Sequence, residues 1–412
     1  MVILYGFCPG LRPVRRPEGG DGPRLGFPTR MSHAGRAGTH AHGFVNPAVH
    51  RGSTVLFADC EGRRRSTEQR FDQVLTYGTA GGPTHHALED VIAEIEGGTR
   101  SLIVGSGLAA IMVPMLACLK TGAHCLMPDS VYGPARSLAE GLMTGFGVTT
   151  TFYDPVIDAA GLRALLRPET RVLYLESPGS HSFEVQDVPA LAAVAQAHGA
   201  TVLMDNTWGI HHFQPFRHGV DISIQALTKY VGGHSDILLG SVTVATDAQW
   251  RRVRAAAGQL GQYASPDDCW LALRGVRTMP LRLRHQQESG IAVARWLAVQ
   301  PQVARVLHPA LPEHPGHAIW RRDFSGACSL FGVVFQPRYS DADIAAMIDG
   351  LSIFGIGASW GGFESLALPT TGFVTRSASP DFGGPAIRLH VGLEDAADLI
   401  ADLQGGLAAL PS

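Results

Sequence analysis

The first chemistry in this chain sits at the ends of two short apolar runs. In TVLMDNTWGIHHFQPFRHGVDISIQALTKYVGGHSD (201–236), runs 201–204 and 222–224 read as buried strands of a parallel sheet. The first ends on Asp205, the second on Thr228-Lys229. Open α/β sheets bind ligands at the carboxyl ends of their strands, so a carboxylate and an amine are delivered to one functional edge. The chain has 33 Lys plus Arg, yet only Lys120 and Lys229 are lysines. Where charge alone is needed, this protein uses arginine. A lysine in an apolar context points to a primary amine that forms a Schiff base, which a guanidinium cannot do. The alternative is a core lysine paired with Asp205 or Asp236.

VGSGLAAI (104–111) is the phosphate candidate. Gly105 and Gly107 let the backbone come close, and the helix that follows offers amides and a partial positive charge. Gly105-x-Gly107-x-x-Ala110 also fits a dinucleotide fingerprint, with Asp129 as its acid. A nicotinamide oxidoreductase is therefore a rival, though it gives Lys229 and Asp205 no task. A plain glycine turn is the third possibility. A buried Asp205 stays charged only when paired. Its partner is either Lys229 or a protonated pyridine nitrogen, such as pyridoxal phosphate supplies. Phosphate at 105–110, aldehyde at Lys229 and ring nitrogen at Asp205 describe that cofactor's three poles. Tyr132 follows the next strand and is placed either on the ring face or on the surface. Arg388, in the strand AIRLHVG, needs an anion, either a substrate carboxylate or an interdomain acid. His40, His42, His85, His86, His211 and His212 lack metal-ligand spacing and read as surface or satisfied histidines, with no metal site.

The elements that position these residues alternate from 101 to 245. Strands read at 101–104, 124–127, 171–175, 201–204, 222–224 and 241–245. Helices read at 84–96, with Thr84 as N-cap, and at 108–120, 134–144 and 188–197. This is a β/α layer covered on both faces. Helices at 270–274 and 281–297 lead to a smaller α+β part with strands 330–335 and 387–391 and helices 341–350 and 396–410. Residues 43–57 read as an extended arm, and 61–70 as a charged loop. Residues 1–30, rich in Pro, Gly and Arg, read as a disordered extension, with Met31 an alternative start.

At 412 residues the chain needs more than one core. It is 45% hydrophobic and 17% charged, with net charge −3, which argues against a nucleic-acid surface. Six cysteines show no framework spacing, so reduced thiols and a cytoplasmic setting are expected. No apolar run is long enough to span a membrane.

The stretches NPAVHRGSTVLF, GGPTHHALEDVIAEIEGG, SGLAAI, LESPGS, MDNTW, SIQALTKYVGGHSD, RGVRTMPLRLRHQQES, SWGGFESL and IRLHVGLED lie in an order and spacing that resemble the Cys/Met-metabolism family of pyridoxal-phosphate enzymes. The likeness covers roughly residues 40–410 and is strongest to the branch that performs carbon–sulfur β-elimination. It implies an α/β chain of the aspartate-aminotransferase type (fold type I). A large, mixed, mostly parallel sheet would occupy 77–279, behind an arm at 31–76. A smaller α+β domain would occupy 280–412. It also implies a homotetramer made of two dimers with shared active sites. Lys229 resembles the Schiff-base lysine, Asp205 the pyridine partner and Tyr132 the ring-stacking tyrosine and acid. Gly105, Ser106, Gly107, Leu108 and Thr228 look like phosphate contacts. Arg388 resembles the carboxylate-binding arginine, with Ser359, Trp360 and Asn206 on the substrate side. Tyr77 is similar to the tyrosine that reaches the neighbouring subunit's phosphate, although Thr79 stands where relatives often carry an arginine. Trp360 is similar to the β-acting version of its position. The implied reaction cleaves L-cystathionine, or a related cysteine S-conjugate, to homocysteine or another thiol, pyruvate and ammonia. Alternatives are a γ-acting relative and a non-catalytic pyridoxal-phosphate regulator, beside the oxidoreductase above.

Overall fold

The computed structural model describes residues 25–36 and 44–411. Seven strands form the large sheet: β1 (Arg100–Val104), β2 (His124–Pro128), β3 (Thr149–Tyr153), β4 (Thr170–Glu176), β5 (Thr201–Asp205), β6 (Ile222–Gln225) and β7 (Gly240–Val244). Their order is β1-β7-β6-β5-β4-β2-β3. Neighbours from β3 to β6 are parallel, and β7 runs antiparallel to both β1 and β6. The sheet is thus mixed and mostly parallel. Leu173 and Leu175 of β4, with Val202 and Met204 of β5, enter one core layer. Val172, Tyr174 and Leu203, at the alternate positions, enter the other. Burial on both faces is why these strands read as continuous apolar runs.

The second sheet contains β8 (Val303–Leu307), β9 (Leu330–Phe335), β10 (Gly355–Ile356), β11 (Leu366–Pro369) and β12 (Ala386–His390), in the order β10-β11-β12-β9-β8. Between the sheets runs one helix, Pro266–Ala298. Two helices were expected here, at 270–274 and 281–297. The structure joins them, and position 280 lies inside the helix. Gly275 serves close packing: a Cβ there would stand 2.3 Å from the Val231 carbonyl oxygen. The helix therefore presses directly on the turn that carries Lys229.

Other expectations are corrected. The extension drawn to residue 30 runs into the helix Phe27–His33. Met31 is fully buried and the Phe27 ring stacks on His211 at 3.9 Å. Residues 1–24, His40 and His42 lie outside the described residues. The charged stretch after residue 60 is a helix, Cys60–Glu68, capped by Asp59 and braced by Arg64 against Glu61 and Glu68. Thr84 is not an N-cap. Gly82 takes that place, and the Thr84 hydroxyl donates to Ala48 and accepts from the His50 amide, which ties down the arm. Strand β3 went unread because its threonines are half-exposed at the sheet edge.

A segment of the smaller domain, 370–384, reaches back to the large one. Its Arg376 makes a two-pronged ion pair with Glu184, at 2.6 and 3.0 Å. The buried Asp129 accepts from the amides of Ser377, Ala378 and Ser379, from the Ser377 hydroxyl and from Arg136. Burial alone would raise this carboxyl, but those hydrogen bonds hold it below its ordinary range. A depressed carboxylate adds stability above its ordinary pKa and loses it as acid protonates it. Asp129→Ala is expected to cost about 3–5 kcal/mol and to open 370–384 to proteolysis. Chemical unfolding and limited digestion check this, and the deficit should shrink as the pH falls below about 4.

Candidate active site

The carboxyl ends of β4, β5 and β6 open into one cavity, and the start of the helix Gly107–Cys118 faces it. Lys229, Asp205, Tyr132, Thr228, Trp360 and Arg388 all line it. Lys229 sits in the turn after β6, and its Nζ donates to Ser359 Oγ at 2.7 Å. The ammonium lies 5.4 Å from the Trp360 ring centroid. Burial, then the nearby Arg388, lower its pKa to about 8, against a smaller opposing pull from Asp205. About one such amine in ten is unprotonated at neutral pH, against roughly one in three thousand for an ordinary lysine.

Asp205 ends β5 half-buried, and its carboxylate accepts the Thr207 amide at 3.0 Å. Burial raises its pKa, while Thr207 and Lys229 oppose that rise. Arg388 donates Nη2 to the carbonyls of Ala358 (3.1 Å) and Ser359 (3.3 Å), and its Nη1 lies 3.5 Å from His181. Burial lowers the guanidinium to about 10, so an anion in the cavity relieves an incompletely compensated charge. The Tyr132 hydroxyl is pushed up by burial and then by Asp205 and Glu176.

Ser106 caps the helix by accepting the Ala109 amide, and the first-turn amides of Gly107 and Leu108 have no intrahelical partner. A Cβ on Gly107 would come within 2.8 Å of Ala226 Cβ, so only glycine lets the helix start approach the Lys229 turn this closely. Thr228 lines the cavity with its hydroxyl exchanged with both backbone groups of Leu239. Gly105 lies beside the Tyr263 carbonyl and outside the lining. Tyr77 is 52% exposed and away from this cavity.

The structure takes Asn206 away from the substrate side. It is fully buried, and its Nδ2 donates to Glu96, Ile210 and Phe213. Alternation along the chain turns it to the face opposite Asp205. Dinucleotide binding fails at Asp129, whose carboxylate is consumed by segment 377–379. Glu176, Thr207 and His181 are among the lining residues that went unread. Glu176 was legible, since it ends β4 as Asp205 ends β5 and pairs with it in register.

The family profile of the Cys/Met metabolism PLP-dependent enzymes matches residues 28–408. The chain belongs to that family. Its cofactor is pyridoxal 5′-phosphate, PLP, and the cavity fits it: a half-buried amine, a carboxylate and free helix-start amides converge there. Cystathionine beta-lyase MetC of Escherichia coli is 39% identical over 389 residues, covering 93% of this chain and 98% of that one. Cystathionine beta-lyase of Bordetella avium is 43% identical over 372 residues, covering 88% and 92%. A crystal structure of cystathionine gamma synthase from Xanthomonas oryzae pv. oryzae, in complex with aminoacrylate and cysteine, superposes with a TM-score of 0.85 at 28% identity, covering 94% and 99%. Family membership and this superposition agree with the fold the resemblance implies.

Asn206→Ala strands the buried Glu96 without one donor, and is expected to cost about 1–3 kcal/mol of stability with KM unchanged. Thermal unfolding beside steady-state kinetics checks it. A raised KM at unaltered stability would return Asn206 to the substrate side.

Proposed function

We propose that the chain is a carbon–sulfur β-lyase acting on L-cystathionine or a related cysteine thioether, with thiol, pyruvate and ammonia as products. The observation that carries this reading is the convergence of the Lys229 amine, the Asp205 carboxylate and the Arg388 guanidinium on one cavity. The two relatives named cystathionine beta-lyase support the choice of substrate class.

Bound in the cavity, PLP supplies an aldehyde for an amine and a ring that accepts the electron pair left at Cα. Lys229 is the residue that would hold that aldehyde, and it would give way there to a substrate amine. Freed, its Nζ is oriented by Ser359 and, with a pKa lowered to about 8, takes the Cα proton as general base. Asp205 would keep the pyridine nitrogen protonated, and Thr207 keeps Asp205 in place. Tyr132, which lines the cavity, would cover the ring and, with Lys229, would deliver a proton to the departing sulfur. The amides at 106–108 and Thr228 hold the phosphate. Arg388 fixes the substrate α-carboxylate, its own plane fixed by the Ala358 and Ser359 carbonyls. β-Elimination needs one carbon-bound proton removed, whereas γ-elimination needs a second, from Cβ. Among the described lining residues Lys229 is the one amine, and Trp360 flanks it.

The assembly in this reading is a homotetramer of two dimers, with Tyr77 directed to a neighbour's phosphate. The arm supports it: Phe44, Val45 and Leu56 are 74, 63 and 90% exposed in the single chain. The five described cysteines are free thiols, which supports a cytoplasmic setting. No described helix is long and apolar enough to cross a membrane.

Borohydride reduction of the PLP-loaded protein is expected to fix the cofactor's mass on the peptide carrying Lys229, as read by mass spectrometry. Label on the exposed Lys120 would refute the anchor. With cystathionine as substrate, a keto-acid assay should give pyruvate. Predominant 2-oxobutyrate would assign γ-elimination instead.

A further inference from the structure

Glu176 is the carboxyl in the cavity that the proposed reaction leaves without a task. It ends β4 directly opposite Asp205, is 9% exposed, and lines the same cavity. Its Oε2 accepts the Tyr132 amide at 2.8 Å. That amide precedes the helix Gly133–Leu138, whose N-terminus at Tyr132 has no side-chain cap, so no partner within the helix serves it. The base of Glu176 is itself fixed. Its own amide donates to Gln186 Oε1 at 3.1 Å, Gln186 donates to the Tyr153 hydroxyl, and Tyr153 donates to the Tyr174 carbonyl. A buried, fully connected chain of this kind resists displacement.

We propose that Glu176 is a positioning residue of this site: it holds the Tyr132 main chain against the end of β4 and so sets where the tyrosine ring stands over the cofactor. The inference rests on the lyase reading above for what Tyr132 does, and on geometry alone for what Glu176 does.

The neighbouring carboxylate decides the form in which Glu176 acts. Two carboxyls on paired strand ends cannot both ionise cheaply away from water. Asp205 is the better stabilised as an anion, because Lys229 lies near it and Thr207 donates to it. Among the described residues no cation pairs with Glu176, and burial, then Asp205, push its pKa well above the ordinary value. Its hold on Tyr132 does not depend on that charge, because Oε2 accepts the Tyr132 amide in either form of the carboxyl. What the position requires is reach and an acceptor, and charge is not among its requirements. Glutamine supplies both. Aspartate, shorter by one methylene of about 1.5 Å, keeps the carboxyl but loses the contact. Leucine loses the acceptor.

The test compares Glu176→Gln, Glu176→Asp and Glu176→Leu in two measurements. The first is amide hydrogen exchange of the segment 129–136, by mass spectrometry, with no cofactor added. Asp and Leu variants should exchange about tenfold faster there, the loss expected for one buried hydrogen bond, and the Gln variant should match the parent. The second uses the PLP-loaded protein: kcat for cystathionine should fall about tenfold to a hundredfold in the Asp and Leu variants at little-changed KM. Visible circular dichroism of the bound cofactor should weaken in parallel, while the Gln variant stays close to the parent. If the Leu variant does not fold, the Asp variant carries the comparison. Unchanged exchange in the Asp variant overturns the proposal. So does a Gln variant as impaired as the Asp variant, because charge would then be the requirement. A parent protein that binds no PLP overturns the lyase reading and leaves the exchange result to judge Glu176 by itself.

Discussion

An ammonium and two carboxyls partly withdrawn from water at one sheet edge are the constraint on which the rest of this structure depends. Burying a single ion costs several kcal/mol even after relaxation. Three responses to that cost are visible here. The Lys229 amine slides towards neutrality, at about 8. The Glu176 carboxyl is pushed far towards its neutral form. Asp205, which keeps the best claim to its charge, is steadied by Thr207 and by the lysine. The same cost makes the cavity receptive. A protonated ring nitrogen beside Asp205, an aldehyde on Lys229 and an anion on Arg388 would each relieve a charge that the protein alone leaves strained.

The architecture serves that edge. Parallel neighbours β4, β5 and β6 end at one level, so Glu176, Asp205 and the Lys229 turn arrive together. The Gly107 helix start closes in on one side of the turn, and Gly275 of the long helix on another. The small sheet and the loop between its strands β10 and β11 contribute what the large one lacks, the guanidinium of Arg388 and a hydroxyl at Ser359. Its segment 370–384 is then latched to the large domain through Asp129 and Glu184. Asp129 and Glu176 thus bracket the turn that presents Tyr132, one from each end. Positions that read as separate sequence motifs form one continuous support.

Most of the site was legible because strand ends are legible. The apolar runs before Asp205 and Lys229 fix both the strands and the edge, and two lysines in 412 residues mark the amine. What escaped did so for physical reasons. Asn206 follows Asp205 in sequence but faces the opposite way, a fact that residue type does not reveal. Asp129 matched a spacing rule, yet its carboxylate belongs to a loop almost 250 residues further on. Glu176 was passed over although the rule that selected Asp205 applied equally to β4. In the fold, the helix at Cys60–Glu68 was hidden by its polarity, since capping and ion pairs hold it without an apolar face. The long helix was broken on paper at a glycine whose purpose is contact with the Lys229 turn.

Of the two carboxyls paired at this edge, Asp205 is the one proposed to keep its charge and to use it on the cofactor. The ¹⁵N chemical shift of the ring nitrogen in isotope-labelled PLP bound to the protein measures this directly. A protonated nitrogen is expected at neutral pH, and an unprotonated one when Asp205 is replaced by asparagine. An unprotonated ring nitrogen in the unaltered protein at neutral pH would contradict it.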